Sequence, residues 1–394
     1  MMRVRSLRIL RVMVLLATAT AAHAEEDGLR RFHFRPSVQT RAILSDNIGA
    51  VDHGRDSDVG IWIAPRVELG FREEAYELGV DASLDVRRYT ERSGFDEVFF
   101  RVHSHGEIGL LPGLTLRLSD AYTPQPVALG LPDDEPANLV QTNRARLEMR
   151  YWRELAGGRE VTAGLVGGRL DTERFATLIA GPGGTPVADP GFKADFWEGG
   201  GFLELQNPLG DDHGAYVRGL VRHRSFDDRA GMDHLEASAL LGFRSQLEPG
   251  LALDLAGGWG WLDLQDGGSD SRSLARAALS LRRPDGWHFE LGFHNEFTID
   301  VAGNDFVDTT GRLQVEKYFG RRTAASVTGF LSYLTSDSTQ PGSNLFGGAE
   351  IAVRRQLSRR FQLGFAYRYW QNAGAFSGDD LRQNRGMLTL SYRH

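Results

Sequence analysis

The sequence specifies an all-β protein, a single closed antiparallel transmembrane β-barrel of about 18 strands. Three observations lead there. Apolar and polar residues alternate with a period of two along the chain, the connections between these runs are short and long in turn, and the first 24 residues have the form of a secretory signal peptide.

Strict alternation marks a strand with one apolar and one wet face. Tyr76, Leu78, Val80, Ala82 and Leu84 alternate with Glu77, Gly79, Asp81, Ser83 and Asp85. Trp287, Phe289, Leu291 and Phe293 alternate with His288, Glu290, Gly292 and His294. Leu251, Leu253, Leu255, Trp259 and Trp261 share a face, as do Phe361, Leu363, Phe365, Tyr367 and Tyr369. Runs of this kind extend from 32–44 and 59–71 to 360–372 and 381–394.

The short connections include Arg72-Glu73-Glu74, Pro112-Gly113, Pro249-Gly250, Pro284-Asp285-Gly286 and Gly320-Arg321. Glycine supplies positive φ in such turns and proline pre-sets φ. The long connections, among them 45–58, 121–137, 171–193, 335–343 and 373–380, are polar and rich in Gly, Asp, Ser or Pro. Short periplasmic turns and longer extracellular loops are the layout of outer-membrane barrels, and an even strand count puts both termini in the periplasm. The alternative, a soluble sandwich, needs a shared core and shorter strands.

Arg3, Arg5, Arg8 and Arg11 precede the apolar run Val12–Ala17, then Ala22-His23-Ala24 and the acidic Glu25-Glu26-Asp27. A basic segment, a short apolar stretch and an A-x-A site describe a signal peptide over 1–24, leaving the barrel as 25–394. The apolar run is too short for a spanning anchor helix. With no cysteine in the chain, a lipoprotein cleavage site, disulfides and thiolate metal sites are excluded. Without the four signal arginines, 41 basic residues face 52 acidic ones, a formal charge of −11 that argues against a nucleic-acid partner. The partners expected instead are outer-membrane lipid, lipopolysaccharide and the barrel-assembly machinery, in the cell outer membrane.

If apolar positions face lipid, the alternate set lines the lumen. It carries Arg101, Arg144, Arg146, Arg150, Arg218, Arg222 and Arg224 beside Glu107, Glu148 and other acids. For any one of these residues the preferred reading is a cross-strand ion-pair ladder that stiffens the wall. The functional reading is a polar conduit whose charges select what passes. Arg144, Arg146 and Arg150 share one strand face, and Arg218, Arg222 and Arg224 another, so the two rows are expected to form a basic stripe suited to carboxylates and sugar hydroxyls. Trp62, Phe99, Trp152, Tyr216 and Phe330 also fall on lumen positions; packing is preferred over sugar stacking for them. Trp259, Trp261, Tyr318, Tyr367 and Tyr369 are candidates for interfacial girdles.

Catalytic chemistry finds little support. His103, His105 and Glu107 share a face at a spacing open to a metal or an acid–base pair, yet no serine nucleophile motif accompanies them. The segment Asp266–Ser271 lacks the spacing of a calcium loop. Gly199-Gly200-Gly201 precedes no helix, so it reads as a bend or close approach rather than a phosphate site. No catalytic residue, metal ligand or cofactor is assigned.

Pro36-Ser37-Val38, Ser45-Asp46-Asn47-Ile48, Ser57-Asp58 and Ala64-Pro65, with Tyr367-Arg368-Tyr369, Asp379-Asp380 and Leu388 to Arg393, resemble the β-barrel porin family found with exopolysaccharide-secretion operons. The resemblance covers mainly the two ends. It implies an outer-membrane barrel that conducts a polysaccharide or serves as an accessory to its secretion, with secretion components as partners. His394 departs from the aromatic terminal residue usual in such barrels. The function expected is a channel for a polar solute, a saccharide or exopolysaccharide; a barrel plugged by 121–137 or 171–193 is the alternative, and an outer-membrane hydrolase a lesser one. N-terminal sequencing of the protein recovered from outer membranes is expected to begin at Glu25.

Overall fold

The computed structural model describes residues 32–47, 57–91, 96–126, 139–172, 178–180, 186–188, 195–227, 233–265, 268–299, 305–336, 342–374 and 381–393. The segment assigned to the signal peptide and His394 lie outside them. Eighteen long strands close one antiparallel sheet: β1 (Phe32–Ser45), β2 (Asp58–Arg72), β3 (Tyr76–Tyr89), β4 (Glu97–Leu111), β5 (Leu114–Pro126), β6 (Leu139–Glu154), β7 (Glu160–Thr172), β10 (Phe196–Pro208), β11 (His213–Phe226), β12 (His234–Glu248), β13 (Leu251–Leu264), β14 (Ser269–Arg282), β15 (Trp287–Ile299), β16 (Asp305–Phe319), β17 (Thr323–Ser336), β18 (Gly342–Gln356), β19 (Phe361–Gly374) and β20 (Leu381–Arg393). Two short strands, β8 (Leu178–Ala180) and β9 (Pro186–Ala188), pair only with each other between β7 and β10. No helix occurs among the described residues.

Each long strand pairs with its neighbour in sequence, β7 with β10, and β20 with β1 from Ser37↔Arg393 to Ser45↔Arg385. That last ladder removes the sheet edges. Backbone groups in hydrocarbon find partners only within the protein, so a sheet with one lipid-facing side has to close. The long strands have 13 to 16 residues, more than the roughly 9–11 a tilted strand needs to cross a bilayer.

Exposure follows parity. Val59, Ile61 and Ile63 point outward from β2 while Trp62 between them is buried on the inner face. Leu241, Leu255, Leu279, Leu291, Leu313 and Leu331 continue an exposed outer band across β12 to β17. Aromatic pairs lie near the short-turn end of the outer face, with ring centroids 5.7 Å apart for Phe71–Tyr76, 5.4 Å for Trp287–Phe289 and 5.1 Å for Phe361–Tyr392. Trp197, Trp259, Trp261 and Tyr333 are exposed on the outer face toward the other end. Tyr367 and Tyr369 keep the outer parity. Tyr318 does not: it shares the inner face of β16 with Glu316, and Arg354 Nη2 donates to its hydroxyl at 3.3 Å, so it is no girdle residue.

The short turns are built as their residues dictate. A Cβ on Gly113 or Gly250 would lie 2.1 or 2.2 Å from the carbonyl oxygen of Trp152 or Arg282, and both glycines have positive φ. At the long-loop end, β5 runs on to Pro126, so the connection read as starting at 121 starts at 127; the rest of it, and most of 171–193, lies outside the described residues. Ser269 and Asp270, in the segment weighed as a calcium loop, begin β14. Leu241→Arg, at the middle of the outer face of β12, is expected to destabilise the barrel by roughly 2–4 kcal/mol. The check is reversible unfolding from lipid vesicles against Ser280→Arg on the inner face, where the change should be much smaller.

Candidate functional site

All fourteen residues named above on lumen positions lie on the inner face. The two arginine rows run along β6 and β11, three strand spacings apart, or about 14 Å. Registers place Arg146, Gly168, Glu198 and Arg224 at one level across β6, β7, β10 and β11. Gly164, Gly168 and Gly200 fall between the rows, where neighbours approach closely: a Cβ on Gly164 would lie 2.3 Å from the Phe202 ring, one on Gly200 2.4 Å from the Val221 carbonyl oxygen, and one on Gly168 3.2 Å from the Glu198 side chain.

Glu198 joins the rows. Arg144 Nη2 donates to its Oε1 at 2.8 Å, and Arg224 Nε lies 3.5 Å from its Oε2. Arg222 bonds Glu236 on β12, Arg146 donates to Glu148 at 3.2 Å, and Arg218 lies over the Phe202 ring, opposite Glu204 in register. Six arginines therefore share this stretch of wall with Glu148, Glu198, Glu204 and Glu236. The expected stripe is basic, but most of its charge is held in ion pairs rather than lying bare. Glu198 has the same parity as Glu204, Phe202 and Gly200, so alternation alone would have placed it on the lumen face; its role as a bridge comes only from the register.

The remaining residues divide between packing and exposure. Trp62 is buried, with the Arg87 guanidinium 3.9 Å from its ring centroid; Arg87 also lies 4.9 Å from the Phe99 ring and bonds Asp85 at 3.0 Å. Arg101 reaches the same Asp85 at 3.7 Å. Tyr216 donates to Asp254 at 2.8 Å under the Arg244 guanidinium. Glu107 accepts from Arg117 Nε at 2.7 Å. Packing thus holds for Trp62, Phe99 and Tyr216, while Trp152 is exposed near the short-turn rim and Phe330 packs against a cluster of Trp370 and Leu381.

A second basic region was not visible as such in the sequence. Arg35, Arg41, Arg66, Arg87, Arg101 and Arg393 line a cavity of about 740 Å³ on β1 to β4 and β20, with Glu68 and Asp85. It spans the closing ladder between the two ends of the chain, so its members are far apart in sequence. His103 and His105 stack at 5.6 Å on the inner face of β4; no group of three metal-binding side chains is found among the described residues.

The inner face differs along its length. Near the short-turn end its charged side chains are open, Arg35 being 65% exposed. Toward the long-loop end, inward residues such as Ser45, Arg87, Thr142, Asn344, Asn372 and Gln383 have almost no access to water.

No family model and no curated protein matches the sequence. The fold is similar to solved barrels of Pseudomonas aeruginosa. OccK9 (OpdG) superposes with a TM-score of 0.51 at 14% identity, covering 94% of this chain and 100% of that one. OccK1 (OpdK) gives 0.50 at 12% identity, covering 92% and 98%. Both are likenesses of fold.

Glu198→Gln removes the anion between two arginines and leaves buried Arg224 with a weaker partner set. A loss of stability of roughly 3–5 kcal/mol is expected, as for breaking a buried ion pair. Unfolding from vesicles checks it, with Glu148→Gln, whose partner Arg146 is exposed, as the mild comparison.

Proposed function

We propose that this protein is an outer-membrane channel for a polar solute, with its short turns in the periplasm and its long loops outside the cell. The observation that carries this reading is the charged inner face inside an apolar outer belt, open near the short turns and richer in arginine than in carboxylate along β6 and β11. An 18-stranded barrel is wide enough for an aqueous passage.

The finer reading is passage of an acidic saccharide in the course of polysaccharide secretion. Supporting it are the arginines on β6 and β11 with those around the Trp62 cavity, since guanidinium forks match carboxylates and hydroxyl pairs, and the resemblance of the two chain ends. No catalytic role is proposed for His103 or His105. The second reading is a barrel closed on its outer side, acting as a binding or accessory component. It is favoured by the near-complete burial of inward side chains toward the long-loop end.

Single-channel recording of the refolded barrel in planar bilayers, followed by polymer-exclusion sizing, separates the two. A stable conductance reduced by acidic oligosaccharides is the outcome expected of the channel; a folded barrel without conductance leaves the closed form. Arg146→Glu with Arg218→Glu is expected to shift the reversal potential in a salt gradient toward cation preference. An unchanged reversal potential would show that the β6 and β11 rows do not set selectivity.

A further inference from the structure

The wall is not continuous at its long-loop end. The β14–β15 ladder stops at Ala275↔Asn295, although β14 continues to Ser269 and β15 to Ile299. Elsewhere in that region pairing persists: β13–β14 runs to Asp263↔Ser269, and β15–β16 to Ile299↔Asp305. The sheet is therefore split between two strands that are both intact.

Parity shows where the freed ends go. Phe297 has the outward parity of Leu291 and Phe293, and Val307 is its register partner on β16. Both are nonetheless buried, in a cluster with Leu262 and Leu274, which have the inward parity of Glu236 and Gly258. A Cβ on Gly260, an inner-face position, would lie 2.6 Å from the Phe297 ring. Arg272, also inward, donates to Thr335 at 3.1 Å, and Thr335 has the outward parity of Tyr333 on β17. The outer face of the β15–β17 ends thus lies against the inner face of β13 and β14, and the wall overlaps itself.

These ends are tied into one unit. Asp308 on β16 accepts from Thr310 at 2.6 Å and from Ser332 of β17 at 2.8 Å, and lies 3.3 Å from His294 of β15. The overlap leaves several backbone groups of β14 and β15 without ladder partners, a cost near a membrane interface. Burial of Phe297 and Val307 against the inner wall offsets it. An alternative arrangement exists on the same register: extending the ladder past Ala275↔Asn295 would set Leu274 opposite Glu296 and Ser273 opposite Phe297, return Phe297 to the outer belt, and withdraw the strand ends from the lumen.

We propose that the ends of β15, β16 and β17 form a gate, tucked beneath β13 and β14 when closed and zipped onto β14 when open. This rests on the channel reading. The absence of cysteine makes the test direct. Ser273→Cys with Phe297→Cys places thiols opposite each other in the zipped ladder and on different faces of the wall in the tucked one. Under mild oxidant in planar bilayers, the disulfide is expected to form and to raise unit conductance in a step that reductant reverses. Leu262→Cys with Phe297→Cys, joined by a short bifunctional thiol reagent, is expected to hold the lower level. Failure of the first pair to cross-link in a barrel where the second does, or cross-linking without a change in conductance, overturns the gate while a conducting wild type keeps the channel. If neither the wild type nor the zipped variant conducts, the channel reading falls and the gate with it.

Discussion

Everything in this protein depends on pairing backbone groups where water is scarce. A strand that presents leucine and valine on one face and arginine and glutamate on the other can serve neither lipid nor water with both faces at once. Closing the sheet resolves the conflict, because the apolar face meets lipid, the charged face meets the lumen, and each strand finds a neighbour on both sides, save where β14 and β15 part at the long-loop end. The closed ring and the antiparallel pairing of successive strands follow from that requirement. So does the concentration of charge inside, which has nowhere else to go.

The inner charges are organised by mutual pairing before they are available to a solute. Glu198 between Arg144 and Arg224 and Asp85 between Arg87 and Arg101 show the pattern: one carboxylate holds two guanidiniums. Such an arrangement fixes the donors in place and leaves part of each arginine's hydrogen-bonding capacity unused. A surplus of arginine over carboxylate gives those two stretches of inner wall a local positive bias, with the guanidiniums held by their carboxylates.

Much of this was legible in the residues themselves. The period of two locates the strands to within a few residues, as with β2, read as 59–71 and found at Asp58–Arg72. It also assigned lumen faces correctly for Arg101, Arg144 and Tyr216, because parity is a local property. What parity cannot give is level: which residue of one strand stands beside which residue of the next. So the bridging role of Glu198 and the cavity shared by Arg35 and Arg101 appear only in the register. Tyr318 departs from the girdle expectation because its parity, shared with Glu316, and not its aromatic type sets the face it occupies. The overlap at β14–β15 was beyond reach for another reason: Phe297 keeps a regular outward position in sequence, and only the bend of three strands together turns that position inward.

The pairing of β20 with β1 has a consequence for how the molecule comes into being. Most ladders join strands that are adjacent in sequence, yet Gln39 meets Ser391 across 352 positions. Closing a loop of that length costs about 3 kcal/mol more than closing one of ten residues. The hairpins therefore form readily and the seam between first and last strands forms late, so a nascent sheet spends its assembly as an open ribbon with two exposed edges. Those edges, rather than any hydrophobic patch of the finished barrel, are the surfaces a cellular folding factor would have to hold until the ring is shut.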